Sequence, residues 1–234
     1  MNTLWSALQN TPLLWLAITL LVFEGADRLS KRSNRHPLCH PVLTATPVLI
    51  AILLATRTPY PVYARNTAML SFLLGPATVG LAVPLWRNRA LVRRAAGPLL
   101  LALLAGSLTA IVSVTGIVWA FGGTAQILAT VAPRSVTTPV AMALAQQLGG
   151  IPALAAVVVL IAGVFGAMVA TPLLNALRIE DYRVRGFAAG VAAHGIGMAR
   201  AFQVSELGGT FAGVGMALNA GMTALLLTLW AVLV

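Results

Sequence analysis

The sequence predicts an all-α fold, a polytopic bundle of transmembrane helices with two broken or re-entrant helices, in a single domain over residues 1–234. Three observations predict it. Hydrophobic residues make up 59% of the 234 and charged residues only 9%, against roughly a quarter charged in soluble domains. Apolar windows approaching the roughly 20 residues that cross a bilayer recur along the whole length. The basic residues cluster between those windows: Arg28, Lys31, Arg32 and Arg35; Arg87, Arg89, Arg93 and Arg94; then Arg178, Arg183 and Arg185. Short loops rich in Lys and Arg stay cytoplasmic, so the net charge of +10 reads as topology and not as nucleic-acid binding.

Other classes lose support residue by residue. Cys39 is the only cysteine, which excludes an intrachain disulfide and a Cys-based metal site. Walker A, GxSxG and HExxH patterns do not occur, so ATP hydrolysis and standard hydrolase chemistry have no seat. No cofactor is expected. The amino end lacks a charged n-region and a small-residue cleavage site, so its apolar run is expected to be a retained span.

Span 1 runs from Pro12 to Ala26 or slightly beyond, ending at the first basic cluster. Span 2 covers Pro41 to Ala55. The proline pair in the 57–66 loop, Pro59 and Pro61, is expected to stop a helix. Span 3 covers Thr67 to Trp86 and is interrupted at Gly75-Pro76. Span 4 runs from Gly97 to Phe121, span 5 from Ile151 to Leu177, and the last from Phe211 to Val234. Trp5, Trp15, Trp86 and Trp230 fall near span ends, where interfacial anchors belong.

Residues 124–150 and 186–209 are too polar and too rich in Gly and Pro for lipid-facing helices. Irregular backbone at membrane depth survives only against protein or a water-filled cavity. Both are therefore read as broken or re-entrant helices lining a central pathway; the rival reading is surface loops with amphipathic helices. A faint repeat accompanies them. After Pro133 come a polar segment, Gly149-Gly150 and a long span; after His194 come a polar segment, Gly208-Gly209 and another span. Interrupted segments at corresponding positions point to a transporter's binding site, although chance similarity among small residues is a rival. With the first two basic clusters cytoplasmic, the 124–150 segment must start and finish outside.

Arg134 is the leading site candidate. A buried intramembrane arginine costs about 2.5–3.5 kcal/mol on insertion scales, so it pairs or lines a polar cavity. The chain has only five acids, Glu24, Asp27, Glu180, Asp181 and Glu206, and most look interfacial. An arginine without a protein carboxylate suits a substrate's carboxylate, gripped in bidentate fashion. Ser135 is placed at a helix start, with Thr137, Thr138 and Pro139 in its first turn and free amides facing the same anion. The rival is an arginine snorkelling to the interface beside a Ser cap. The second candidate joins His194, a proton acceptor in a coupled carrier or a helix-packing hydrogen bonder, to Arg200 through the small residues Gly195 and Gly197. Gln146, Gln147 and Asn219 are read as interhelical hydrogen bonders. His36 and His40 belong to the first basic loop.

At these residues the sequence resembles the LrgB/CidB family of bacterial membrane proteins. The resemblance rests on LLGPATVGLAVPLW (73–86), PRSVTTPVAMALAQQLGGIPALAAVVVLIAGVFGA (133–167), LLNALRI (173–179) and RGFAAGVAAHGIGMARAFQ (185–203). It spans nearly the whole chain and implies one LrgB-type transmembrane domain, multi-pass, in the bacterial inner membrane. It implies two functions. One is a transporter of glycolate, glycerate or pyruvate, with Pro133, Arg134, Ser135, Thr137, Thr138, Pro139, His194, Gly195 and Arg200 matching the family's polar motifs; the carrier expected here takes small monocarboxylates (glycolate, glycerate, lactate or pyruvate), holds substrate between 133–148 and 194–203 and couples its movement to a proton or an ion. The other is a holin/antiholin-like regulator of murein hydrolase export and lysis, acting with a small LrgA/CidA-type membrane partner. A homo-oligomer, a dimer, is the expected assembly. An intramembrane enzyme lacks a catalytic pair.

Overall fold

The computed structural model describes residues 9–33, 39, 41–70, 72–73, 86–87 and 89–233. Gly75, Pro76 and most of span 3 lie outside the described residues, as do Trp5, His36 and His40. Every named element is a helix, in two compact units, Met1–Gly80 and Leu81–Val234.

The first unit holds α1 (Pro12–Arg32), α2 (Pro41–Ala55) and α3 (Tyr60–Asn66). Its core is Trp15, which is fully buried, donates Nε1–H to Gln9 O at 2.9 Å and meets the Tyr63 ring edge-on at 5.6 Å. Trp15 is therefore a core residue, correcting its assignment as an interfacial anchor. Trp86 and Trp230 are exposed. The proline pair also behaves differently from expectation. Pro59 precedes α3 and Pro61 sits in its first turn, where a missing N–H costs nothing, so together they start a helix bent 118° from α2. α1 extends six residues past Ala26; the i, i+4 pair Asp27–Lys31 lies in this polar continuation and Glu24–Arg28 leads into it.

The second unit contains α4 (Arg89–Arg94), α5 (Ala96–Ala120), α6 (Ala125–Val131), α7 (Thr138–Gln147), α8 (Pro152–Ala176), α9 (Tyr182–Val204) and α10 (Glu206–Leu233). α5, α8 and α10 are long and apolar enough to cross a membrane. At 1.5 Å per residue each exceeds the roughly 30 Å of a hydrocarbon core. α6 and α7, with 7 and 10 residues, are about 10 and 15 Å long and cannot cross. They form a hairpin whose tip, residues 132–136, is buried in protein: Ala132, Pro133, Ser135 and Val136 are all at most 1–2% exposed. The hairpin closes where it began. Gly149 takes a φ of 78°, and Gly150 lies so close to the Thr130 backbone that a side chain would collide with it. Thr130 Oγ1 accepts from Ile151 N–H at 2.8 Å, tying α6 to the start of α8.

α9 is a second hairpin. Its backbone leaves helical geometry at Ala193 (φ −131°, ψ 17°) and His194 (φ 40°, ψ −131°). The chain then folds back, bringing Gly197 against Ala189 O and Gly208 beside both Tyr182 O and Ala201 O. Gly195 faces open space apart from Met216 Sδ at 3.9 Å. α10 begins at Glu206, five residues before the expected Phe211. Gly208 and Gly209 are thus inside α10; their missing side chains admit Tyr182 O and the Phe202 ring. Gly186 and Gly190 let α9 approach the carbonyls of Gly208 and Ala212.

Chain order gives the hairpins opposite directions. α6 and α7 enter and leave at the end of the unit where α5 finishes and α8 starts. α9 enters and leaves at the end where α8 finishes and α10 starts. Each hairpin is followed by a long helix, but the Gly pairs do not correspond: Gly149-Gly150 precede α8, whereas Gly208-Gly209 lie inside α10.

Candidate functional site

The two hairpin tips meet in the interior of the second unit. Val136, from the first, packs with Val159 of α8 beside Ala220 of α10. His194, at the second tip, bonds Val159 O through Nε2 at 3.1 Å. A carbonyl can only accept, so Nε2 carries the proton of this bond. Gly163, one turn along α8, leaves the space the imidazole fills.

Asn219 of α10 is the hub. It is fully buried, and its Nδ2 donates to Ser135 O (3.0 Å), Val191 O (3.2 Å) and Ser135 Oγ (3.3 Å). Its Oδ1 accepts from Ser107 Oγ of α5 at 2.7 Å and from Thr223 Oγ1 at 3.3 Å. The reason is local. The break at Ala193–His194 interrupts the i→i−4 ladder just beyond Val191, and a freed buried carbonyl needs a donor. One side chain thereby satisfies both tips and pins α5 to them.

Arg134 stands beside this hub, half-buried, at a cavity of about 750 Å³ between α5 and the first half of α9. Small residues line it, Ala102, Ala105, Gly106 and Ala110 from α5 and Ala188 and Ala192 from α9. Thr109 and Ser113 add hydroxyls towards the Arg134 end. Asp181 and Arg183 lie at the opposite end with Ala95, next to α4 and its arginines. Asp181 caps α9, accepting from Arg183 N–H at 2.8 Å and pairing with the Arg183 guanidinium. Those bonds hold its carboxyl below its ordinary pKa and raise the arginine's. Glu24 and Asp27 are also paired locally, with Arg28 and Lys31. Among the described residues, no side chain or carbonyl accepts from the Arg134 guanidinium.

The other candidates separate. Ser135 is buried at the hub and does not cap a helix; α7 starts at Thr138, with Thr137 in the capping position and Pro139 in the first turn. The Arg134 and Val136 amides are already bonded to Val131 O and Pro133 O, so neither is free for an anion. Thr137 and Thr138 are half-buried. His194 and Arg200 do not line the Arg134 cavity. Arg200, which donates to Gln203 Oε1 at 3.3 Å, borders a separate pocket of about 40 Å³ with Arg185 and Gly197. The fold-back of α9 carries it away from Arg134 towards Tyr182, so the expected Arg134–His194–Arg200 constellation is not assembled. Asn219, Ser107, Thr109 and Ser113 are the residues that sequence reasoning missed or undervalued. Only Asn219 stood out, as a lone amide in an apolar span.

Opposed hairpins whose tips meet between membrane-crossing helices define a class: polytopic helical membrane proteins with discontinuous helices at their centre. The LrgB-like family model matches residues 19–233, and the chain belongs to that family. It is 36% identical over 209 residues to YwbG of Bacillus subtilis (strain 168), an uncharacterized protein, covering 89% of this chain and 92% of that one. A Haemophilus influenzae protein, also uncharacterized, is 30% identical over 205 residues, 88% of each chain. Holin-like protein CidB of Staphylococcus aureus (strain N315) is 27% identical over 215 residues, 92% of this chain and 93% of that one. No solved structure matches.

Proposed function

We propose that the chain is a secondary carrier of small monocarboxylates, the glycolate, glycerate, lactate and pyruvate class, with the carboxylate seated on Arg134. The observation that carries this reading is a guanidinium at the inner end of a cavity, with no acceptor of its own among the described residues. A planar guanidinium binds a carboxylate through two parallel hydrogen bonds, and the Thr109 and Ser113 hydroxyls suit an α-oxygen. Arg87, Arg89, Arg93 and Arg94 adjoin the start of α5, and Arg178, Arg183 and Arg185 flank the start of α9, at the cavity's outer end. By the positive-inside rule this end faces the cytoplasm, so the cavity opens inward. The setting is the bacterial inner membrane, with a dimer and a small LrgA/CidA-type protein as candidate partners.

The holin-like name of the CidB relatives favours a second reading, a regulator of a pore that transports nothing itself. Purified protein in liposomes separates the two. The carrier accumulates at least one radiolabelled acid of the four, driven by a pH or cation gradient. Failure to accumulate any of them under every gradient contradicts it.

A further inference from the structure

We infer that Asn219 and the two hairpin tips form a binding site for a monovalent alkali cation, sodium, which couples to the anion at Arg134. The coupling rests on the carrier reading; the site itself does not.

Asn219 Nδ2 has two hydrogens and faces three oxygens, Ser135 O, Ser135 Oγ and Val191 O, at 3.0–3.3 Å. The two carbonyls and the hydroxyl are hard, neutral oxygens, and Asn219, Ser135 and Val191 are buried. Both tips contribute, and unwound backbone at midmembrane is where carriers hold their coupling cations.

A half-turn of the amide exchanges Nδ2 and Oδ1. The hydroxyls of Ser107 and Thr223, which now donate to Oδ1, can accept from the amide instead. Oδ1 would then lie among the three tip oxygens at the distances Nδ2 now holds. Oxygens so close repel unless a cation sits between them. An ion with ligands at about 2.4 Å, the range for calcium, whose radius sodium nearly shares, has octahedral edges of about 3.4 Å. The 3.0–3.3 Å from the amide position to each tip oxygen comes close to such an edge. In the cation-free state the amide N–H groups take the ion's place.

Charge supplies the coupling. Arg134 directly precedes Ser135, so its positive charge opposes a cation on the tip. A carboxylate bound to Arg134 cancels that charge, and cation and anion each favour the other's binding. Val191 also lines the Arg134 cavity, giving the cation a route from it.

The test is the thermal midpoint of full-length protein in detergent, in sodium, potassium and choline chloride at equal ionic strength, with and without pyruvate. Sodium is expected to raise the midpoint above potassium and choline, more so with pyruvate. Ser135→Ala is expected to weaken the sodium effect several-fold. Asn219→Asp discriminates sharply, because a carboxylate cannot donate to Ser135 O or Val191 O but binds a cation better. Its sodium-dependent stabilisation should equal or exceed the wild type's. Equal midpoints in all three salts, or an Asn219→Asp loss that is the same in each, overturns the site. Should that variant not fold, Ser135→Ala decides: an undiminished sodium effect overturns the site. Pyruvate uptake in choline at the sodium rate removes the coupling and leaves the carrier. Sodium-specific stabilisation with no uptake of any acid leaves the site and removes the carrier.

Discussion

Asn219 donates its side-chain amide to the carbonyl of Val191, two residues before the backbone of α9 breaks, while the same amide holds Ser135 at the tip of the opposed hairpin. The two irregular segments of the fold are thus stabilised by one residue. Removing it exposes what each tip owes to it.

Asn219→Ala leaves the Ser135 and Val191 carbonyls and the Ser107 hydroxyl without the partner they share in the interior. A buried group stripped of its partner costs about 1–3 kcal/mol. The midpoint of thermal unfolding should fall by more than in Ser107→Ala alone, and the double variant should lose less than the sum, since both changes remove the same bond.

His194 occupies φ 40°, ψ −131°, a conformation natural to glycine and costing other residues about 1–3 kcal/mol. His194→Gly and His194→Ala both lose the bond to Val159 O, but only glycine relieves the backbone. His194→Gly should therefore unfold at the higher temperature of the two. Because His194 does not line the Arg134 cavity, neither variant should change the affinity for substrate by more than a few-fold.

Close approach of α9 and α10 depends on glycine. A methyl at Gly190 would enter the Ala212 carbonyl, whereas one at Gly116 on α5 meets nothing within 4 Å. Gly190→Ala should cost about 1–3 kcal/mol through overpacking. Gly116→Ala should be neutral or gain up to roughly 1 kcal/mol from helix propensity. Paired thermal melts in one detergent check both.

The Asp181 carboxyl is held below its ordinary pKa by the Arg183 side chain and backbone N–H. A depressed folded-state pKa stabilises the fold above the unfolded value, about 3.9, and the effect disappears as pH falls through the folded value. The pair is exposed, so its contribution is small. Wild type and Asp181→Ala should differ by a constant cap contribution across neutral pH and converge only in strong acid.

The long spans were legible because apolar runs of 20 or more residues leave little alternative in water or lipid; α5 and α8 fall within a residue or two of expectation. The hairpins were legible as irregular segments, through Pro133, Gly149 and the polar run ending in Arg200. Their geometry was not. Whether α9 kinks or folds back is decided by Gly197 meeting Ala189 and by Gly186 and Gly190 meeting α10, contacts between residues that no periodicity relates. The same fold-back dissolved the expected grouping of Arg200 and His194 with Arg134. Trp15 misled because an indole near a span end satisfies its N–H as well against Gln9 as against lipid headgroups. Asn219 gave a signal of type but none of partner.

The proposed seat of the carboxylate is the Arg134 guanidinium. Two charge-assisted hydrogen bonds to a carboxylate contribute roughly 1.5–3 kcal/mol each, so their loss should lower affinity about 100-fold or more. The most direct measurement is pyruvate and glycolate uptake by liposomes carrying wild type or Arg134→Ala, with the thermal midpoint of each protein recorded alongside. Uptake abolished by a substitution that leaves the midpoint unchanged is the predicted result. Arg134→Ala protein that accumulates the same acid at the wild-type rate would contradict it.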